Sequence, residues 1–414
     1  MSNETLSAAN NWNTCSLKTG IQRVIPMTEI RNWTVRQALS VLAGTVLAAC
    51  AGRLDAQSFD VGSNGSLGDV VISENTTIDL PPDGKLHYKS LTVNSGVRVG
   101  FKRNVRNTPV VMLSQGDIVV NGTIDVGASD GTSNDGGAPG PGGFAGGKPG
   151  FGATPPGTGY GPGGGGLDNI NTCDFGTRNG NGSFGGRGNS GPSGEPYGNV
   201  FLIPLIGGSG GAGGPGSPGR GGSGGGGAIL LASNTKVRIN GTINAQGGTD
   251  NGCGGGGGAG GGIRVVALRV DGSGLLDTRS RGTGGLGRIR VDTLERDGIA
   301  FSFQGVTSVG GNLFALPTVI PRLDTIEVAG TAFPEGSQPG TILLPFGSSP
   351  DRTVKIQARD FGKVVPIRIT LTPDTGSKVV VDTEIDNSVN NPAIVEVPVT
   401  FPVNSKVTVH CWTR

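Results

Sequence analysis

Histidine is nearly absent: only His87 and His410 occur, far apart in the chain. A histidine-based general base or metal centre has little to build on, and His87, beside Tyr88, reads as a polar turn residue. Aromatic residues make up only 5% of the chain, and Trp412 is the only tryptophan beyond the first few dozen residues. Sugar clefts commonly rely on stacking rings, so a carbohydrate site here would have to be polar and shallow. Charge is sparse and balanced, with a formal net of +2. That excludes nucleic acid as a partner class, because phosphate binding needs a concentrated basic field. The one basic cluster, Lys102-Arg-Asn-Val-Arg106, is too short to supply it and reads as a solvated strand edge. The five cysteines contain no Cys-x-x-Cys pair, which removes the usual zinc framework.

Glycine is abundant instead. Eighty of 414 residues are glycine, far above the roughly 7% norm yet without the strict three-residue period of collagen. Between the glycine runs one pattern recurs. Val110-Val-Met-Leu-Ser114 leads into Asp117-Ile-Val-Val-Asn-Gly-Thr-Ile-Asp125, and Ala228-Ile-Leu-Leu-Ala232 leads into Lys236-Val-Arg-Ile-Asn-Gly-Thr-Ile-Asn244. Asn121-Gly-Thr-Ile124 and Asn240-Gly-Thr-Ile243 are identical. Short β-branched runs ended by Asn-Gly or Asp-Gly read as strand–turn–strand, and self-similar units that cannot bury an apolar face alone are expected to stack. The expectation is an all-β protein: a parallel β-helix (solenoid) with a long glycine-rich insertion, followed by a C-terminal β-sandwich. In such a stack Asn121 and Asn240 would occupy equivalent turns, with Asp271 as the analogue one coil on. Thr123 with Thr242, and Ile124 with Ile243, would line up beside them as a structural ladder.

The chain divides by composition. Residues 1–26 lack periodicity and read as an unstructured leader or an over-extended start before Met27. Residues 27–56 read as a signal peptide and short linker, with Arg31 and Arg36 preceding an apolar run too short to span a bilayer. First solenoid coils follow over 57–126, the glycine-rich insertion over 127–227, later coils and a cap over 228–320, and a β-sandwich over 321–414. For the insertion two readings stand. It is disordered for want of apolar side chains, or its glycine tracts form extended helices of the polyproline II kind that pack side by side. The apolar island at residues 200–206 is expected to anchor it on the solenoid wall. Beyond residue 323, about seven short alternating strands in roughly ninety residues point to two packed sheets.

Three resemblances bear on function. Leu47-Ala-Ala-Cys50 is similar to the lipobox of bacterial lipoproteins. This implies cleavage before Cys50, a diacylglycerol on its thiol, and a mature chain that is exported and reaches a membrane only through that anchor. Ordinary cleavage after Ala51 or Ala56, or an uncleaved buried helix, are the alternatives. In an oxidising compartment Cys173 and Cys253, both in glycine-rich segments, form the expected disulfide, since a crosslink there restrains floppy backbone; unpaired thiols are the alternative. Residues 69–126 and 228–303 resemble coils of pectate-lyase-type parallel β-helices, a group of polysaccharide lyases and hydrolases as well as adhesins and spikes. The C-terminal strands resemble immunoglobulin-like modules of bacterial surface proteins in strand number and spacing, without their Cys and Trp signature.

Chemistry-bearing residues are few. Asp79, Asp125, Asp271, Asp277, Asp292 and Asp297 fall mostly at turns, while Arg264, Arg269, Arg288 and Arg290 alternate with apolar residues as on a solvated sheet face. Asp130, Asn134 and Asp135 offer oxygen ligands at a spacing compatible with a calcium loop, without the Glu of an EF-hand; a plain glycine-rich turn is the competing reading. No other cofactor is expected. The leading functional expectation is a non-enzymatic, exported envelope or surface protein, structural or adhesive, whose partners are envelope or extracellular components including polysaccharide. A polysaccharide lyase or hydrolase is the first alternative, and a glycan-binding module the second.

Overall fold

The computed structural model describes residues 59–168, 179–189, 191–250, 254–336 and 340–414. All of them belong to the compact unit Phe59–Arg414. The expectations for the leader, for lipidation at Cys50 and for the Cys173–Cys253 disulfide lie outside the described residues.

The described residues contain no helix; the elements are strands. In chain order they are β1 (Asp69–Ile72), β2 (Thr76–Asp79), β3 (Lys85–Tyr88), β4 (Ser90–Val93), β5 (Arg98–Lys102), β6 (Val110–Ser114), β7 (Ile118–Val120) and β8 (Thr123–Asp125). After the glycine-rich insertion come β9 (Ala228–Ile239), β10 (Thr242–Asn244), β11 (Gly262–Asp271), β12 (Leu275–Asp277), β13 (Arg288–Asp292), β14 (Ser302–Gln304) and β15 (Val306–Gly310). The chain passes back and forth between a nine-stranded and a six-stranded sheet, with β3–β4 and β6–β7 falling consecutively in the larger one, and the strand pairs within each are parallel. Inward residues of both sheets, among them Leu91, Val99, Ile124, Ile239, Ile243 and Leu276, close on one apolar core. Here β6 is buried along its whole length. Val110 and Met112 face that core, while Val111 and Leu113 lie under Val61, Phe59 and Leu316. A strand covered on both faces reads as an unbroken apolar run, as this one does.

Order in the insertion comes from its backbone. From Gly221 to Gly227 successive amides donate to the carbonyls of Thr132, Gly147, Gly256, Ser129, Phe144, Ala259 and Val126, at 2.7–3.0 Å. Every third amide therefore returns to the same neighbour: 132, 129, 126 on one tract; 147, 144 on a second; 256, 259 on a third. A chain that turns by a third of a revolution per residue behaves this way, and three residues per turn defines polyproline II. Two neighbours run opposite to residues 221–227 and one runs with them. Such packing leaves no room for side chains: a Cβ at Gly225 would collide with the Gly208 carbonyl, and one at Gly213 with that of Lys148. Pairing between tracts also satisfies amides that would otherwise be buried and orphaned. Of the two readings of the insertion, its described residues take the packed one. The island at 200–206 contributes Leu202 to a small core with Phe184 and Ala259, while Val200 and Phe201 stay exposed.

The remaining strands are β16 (Arg322–Val328), β17 (Thr331–Ala332), β18 (Thr341–Ile342), β19 (Asp351–Arg359), β20 (Val364–Pro373), β21 (Val379–Asp386), β22 (Ala393–Thr400) and β23 (Val407–Thr413). They form two four-stranded antiparallel sheets, ordered β17-β16-β19-β22 and β18-β23-β20-β21. Val354 and Ile356 from one sheet and Ile367, Ile369 and Val409 from the other share a second apolar core.

Candidate functional site

The repeated segments meet where their identity places them. Thr123, Ile124 and Asp125 on β8 are the direct register partners of Thr242, Ile243 and Asn244 on β10. Both isoleucines are fully buried. Asn240 Nδ2 donates to Asn121 Oδ1 at 2.9 Å, and Asn244 Nδ2 donates to Asp125 Oδ1 at 2.9 Å. The ladder is short. One strand on, Thr242 faces Leu275; one strand back, Thr123 faces Arg98. Asp271 does not extend the Asn row. It is in register with Arg238, two residues before Asn240.

Four acids of the parallel sheets, Asp125, Asp271, Asp277 and Asp292, are held by arginines. Arg238 grips Asp271 through both oxygens, at 2.6 and 2.9 Å, and Arg269 adds a third contact at 3.0 Å. The hydrogen bond from Arg238 and then that from Arg269 outweigh burial and hold the Asp271 carboxyl below the usual range. Asp277 is gripped by Arg279 at 3.0 and 2.7 Å and by Gln246 at 2.9 Å. Arg290 binds Asp292, with Nε 2.9 Å from Oδ2, and both are buried. Asp125 binds the Arg98 guanidinium. Of the six acids singled out by sequence, Asp79 and Asp297 are exposed, the former 3.4 Å from Lys102.

Two readings from composition are corrected here. Arg264 and Arg290 do not lie on a solvated face. Arg264 is 2% exposed, with its guanidinium directed at the Ala315 and Phe314 carbonyls and at the Phe314 ring. Burial lowers its pKa to about 10. The alternation with apolar residues is present, but the segment after β15 folds over the outward face. His87 is likewise no turn residue; it lies within β3, and its Nδ1 accepts the Asn64 amide at 3.3 Å.

The calcium candidates are occupied by protein groups. Asp130 Oδ1 accepts from Arg281 at 2.7 Å and from the Thr249 amide at 2.9 Å, while Asp135 Oδ1 accepts from the next amide, Gly136. A guanidinium stands where a cation would bring its charge. Asn134 is exposed, and no cluster of three or more His, Cys, Asp or Glu residues suited to a metal occurs among the described residues.

One constellation escapes sequence reading. His410 and Trp412 on β23 stack at 4.9 Å, and Phe144 of the insertion meets them edge-on at 5.9 and 5.6 Å. Tyr160 joins at 6.3 Å from His410, and Lys148 Nζ lies 2.7 Å from Asp374 Oδ2. His410 Nδ1 is buried without a hydrogen-bond partner, and burial pulls the imidazole pKa down to about 4. Cys411, beside it, is a free thiol pushed up by burial. The available signal was an isolated Phe and Tyr inside glycine tracts, where a ring has nothing local to pack on. The cluster joins the insertion to the C-terminal sheets.

No known protein family, no curated protein and no solved structure matches the chain. Its chemistry must be read from its own geometry. A glycosidase needs a carboxylic acid whose pKa is raised beside a free carboxylate. Each described carboxyl group with a displaced pKa, namely Asp117, Asp271, Glu335, Asp382 and Asp386, is displaced downward. At Asp117 burial pushes up, and hydrogen bonds from Lys236 and Thr235 outweigh it.

Proposed function

We propose that this chain is a non-enzymatic, exported surface protein whose work is structural or adhesive. The two parallel sheets are read as a β-solenoid, the glycine tracts as a rigid bundle packed on it, and the two antiparallel sheets as a terminal immunoglobulin-like sandwich. The observation that carries the reading is the commitment of Asp125, Asp271, Asp277 and Asp292 to guanidinium partners. Acids clamped by arginine stabilise a stack and are poor proton donors. Export through a leader cleaved near Cys50 accounts for a surface location.

The test pairs two measurements on the mature protein. Incubation with uronate and neutral polysaccharides should release no new chain ends, and the protein should bind cells or extracellular matrix. Cleavage of a uronate polymer without binding would replace this reading with an enzymatic one. Mass spectrometry of the mature N-terminus tests the anchor: a diacylglycerol on Cys50 is expected, and a free amine at residue 57 would exclude it.

A further inference from the structure

The outward side of the six-stranded sheet holds a cleft that the structural bonding leaves open. On β5, Val99 and Phe101 pack toward the core, so Arg98, Gly100 and Lys102 point outward. Gly100 is in register with Thr77 on β2. A Cβ at Gly100 would make only ordinary contacts, with the Thr77 hydroxyl at 3.7 Å and the Thr76 carbonyl at 4.0 Å, so bare backbone forms part of the cleft floor. The cavity measures about 480 Å³, with Asn75, Thr77, Arg98, Phe101 and Arg103 among its lining residues and Pro139–Pro141 of the insertion completing it.

Charge is unequally used here. Asp125 is the only acid lining the cleft, and its side chain is 8% exposed. Its Oδ1 already accepts from the Gly127 amide at 2.8 Å and from Asn244 at 2.9 Å, while Oδ2 holds Arg98. Arg98 is thereby fixed in place yet 68% exposed, with most of its five N–H donors free. Arg103 makes no hydrogen bond or ion pair among the described residues. Two guanidinium groups facing one neutralised carboxylate leave net positive charge over an uncovered floor.

We propose that this cleft binds a tetrahedral oxyanion, sulfate or phosphate, carried on a sugar or polyol of an extracellular polymer. A guanidinium fork takes both oxygens of a carboxylate in one plane, whereas a tetrahedral group has further oxygens outside that plane to face a second guanidinium. The Thr77 hydroxyl and Asn75 amide suit neighbouring sugar hydroxyls, and the bare Gly100 backbone admits a ring. The proposal rests on the adhesive reading above and names the chemistry that adhesion would use.

The experiment is calorimetric titration of the full chain with a heparin fragment and, separately, with a polyglycerol phosphate. Polygalacturonate and dextran serve as comparators. At least one of the first two should bind, and which one binds separates the sulfate from the phosphate source. Affinity should fall about tenfold or more in Arg103→Ala, which removes charge-assisted hydrogen bonds. It should fall similarly in Gly100→Leu, which fills the floor. Lys363→Ala, an exposed cation elsewhere, should bind as the parent does. Unchanged melting temperatures would show that both cleft variants fold. Failure of both oxyanion polymers to bind, a preference for polygalacturonate, or undiminished binding by the two cleft variants would each overturn the assignment. Cell binding that survives in those variants would remove the cleft while sparing the adhesive reading; loss of cell binding by the parent itself would remove that reading.

Discussion

Ile243 lies directly beside Ile124 on the neighbouring parallel strand, although the whole glycine-rich insertion separates them in sequence. Both side chains are fully buried in the core shared by the two sheets. Truncating either removes transfer energy and leaves a cavity, so Ile243→Ala should cost about 2–5 kcal/mol. The exposed Asn240 should cost about 1 kcal/mol or less as Asn240→Ala, the net worth of one hydrogen bond. Urea unfolding of both variants checks the contrast; equal effects would contradict the stacked register.

Glycine in the bundle is a steric requirement. Gly225→Ala places a methyl against the Gly208 carbonyl, and overpacking of this kind costs about 1–3 kcal/mol or more. Gly100→Ala meets only an ordinary contact on the open sheet face and should be close to neutral. Thermal melts of the two alanine variants make the comparison.

Arg290 and Asp292 form a buried pair, and Asp292 also accepts the Asn312 amide at 3.1 Å. Arg290→Met leaves an unpaired buried carboxylate and should destabilise by about 3–5 kcal/mol. Replacing both partners, Arg290→Met with Asp292→Leu, should recover much of that loss, because no isolated charge remains. A double-mutant cycle by chemical denaturation reads the coupling.

Burial of His410 makes stability depend on pH. Its pKa is depressed from 6.5 to about 4 in the folded protein, so the unfolded chain takes up the proton first. The contribution is present in full above pH 6.5, declines as pH falls toward about 4, and changes no further below that. At about 1.36 kcal/mol per unit the loss is on the order of 3 kcal/mol. Tyr160 meets the imidazole, and its hydroxyl lies 3.4 Å from Asp374, which in turn holds Lys148. Melting temperature against pH should therefore slope less between pH 4 and 6.5 in His410→Phe than in the parent protein. Parallel slopes would contradict the burial of a neutral imidazole.

Much of the fold was legible. Asn-Gly-Thr-Ile written twice carries its own register, and alternation of β-branched residues with turn signals identifies the strand-rich character. What escaped was long-range cover. Nothing near Arg264 in sequence shows that the Phe314 and Ala315 carbonyls will enclose it, and nothing near His410 announces Phe144. The glycine tracts lacked a side-chain pattern by nature, since their order resides in backbone amides with a period of three. Candidate site residues were legible as types, but their pairing was not: an Asp at a strand end reads alike whether it is free or held by an arginine two residues or a whole strand away.

Hydrogen exchange at the amides of Gly221 to Gly227 tests the central claim most directly. All seven donate to tracts on three sides, and a packed bundle predicts strong protection along the run, approaching that of the core strand β9. Exchange at the rate of an unstructured peptide would contradict the bundle, and with it the rigid body proposed for the glycine tracts.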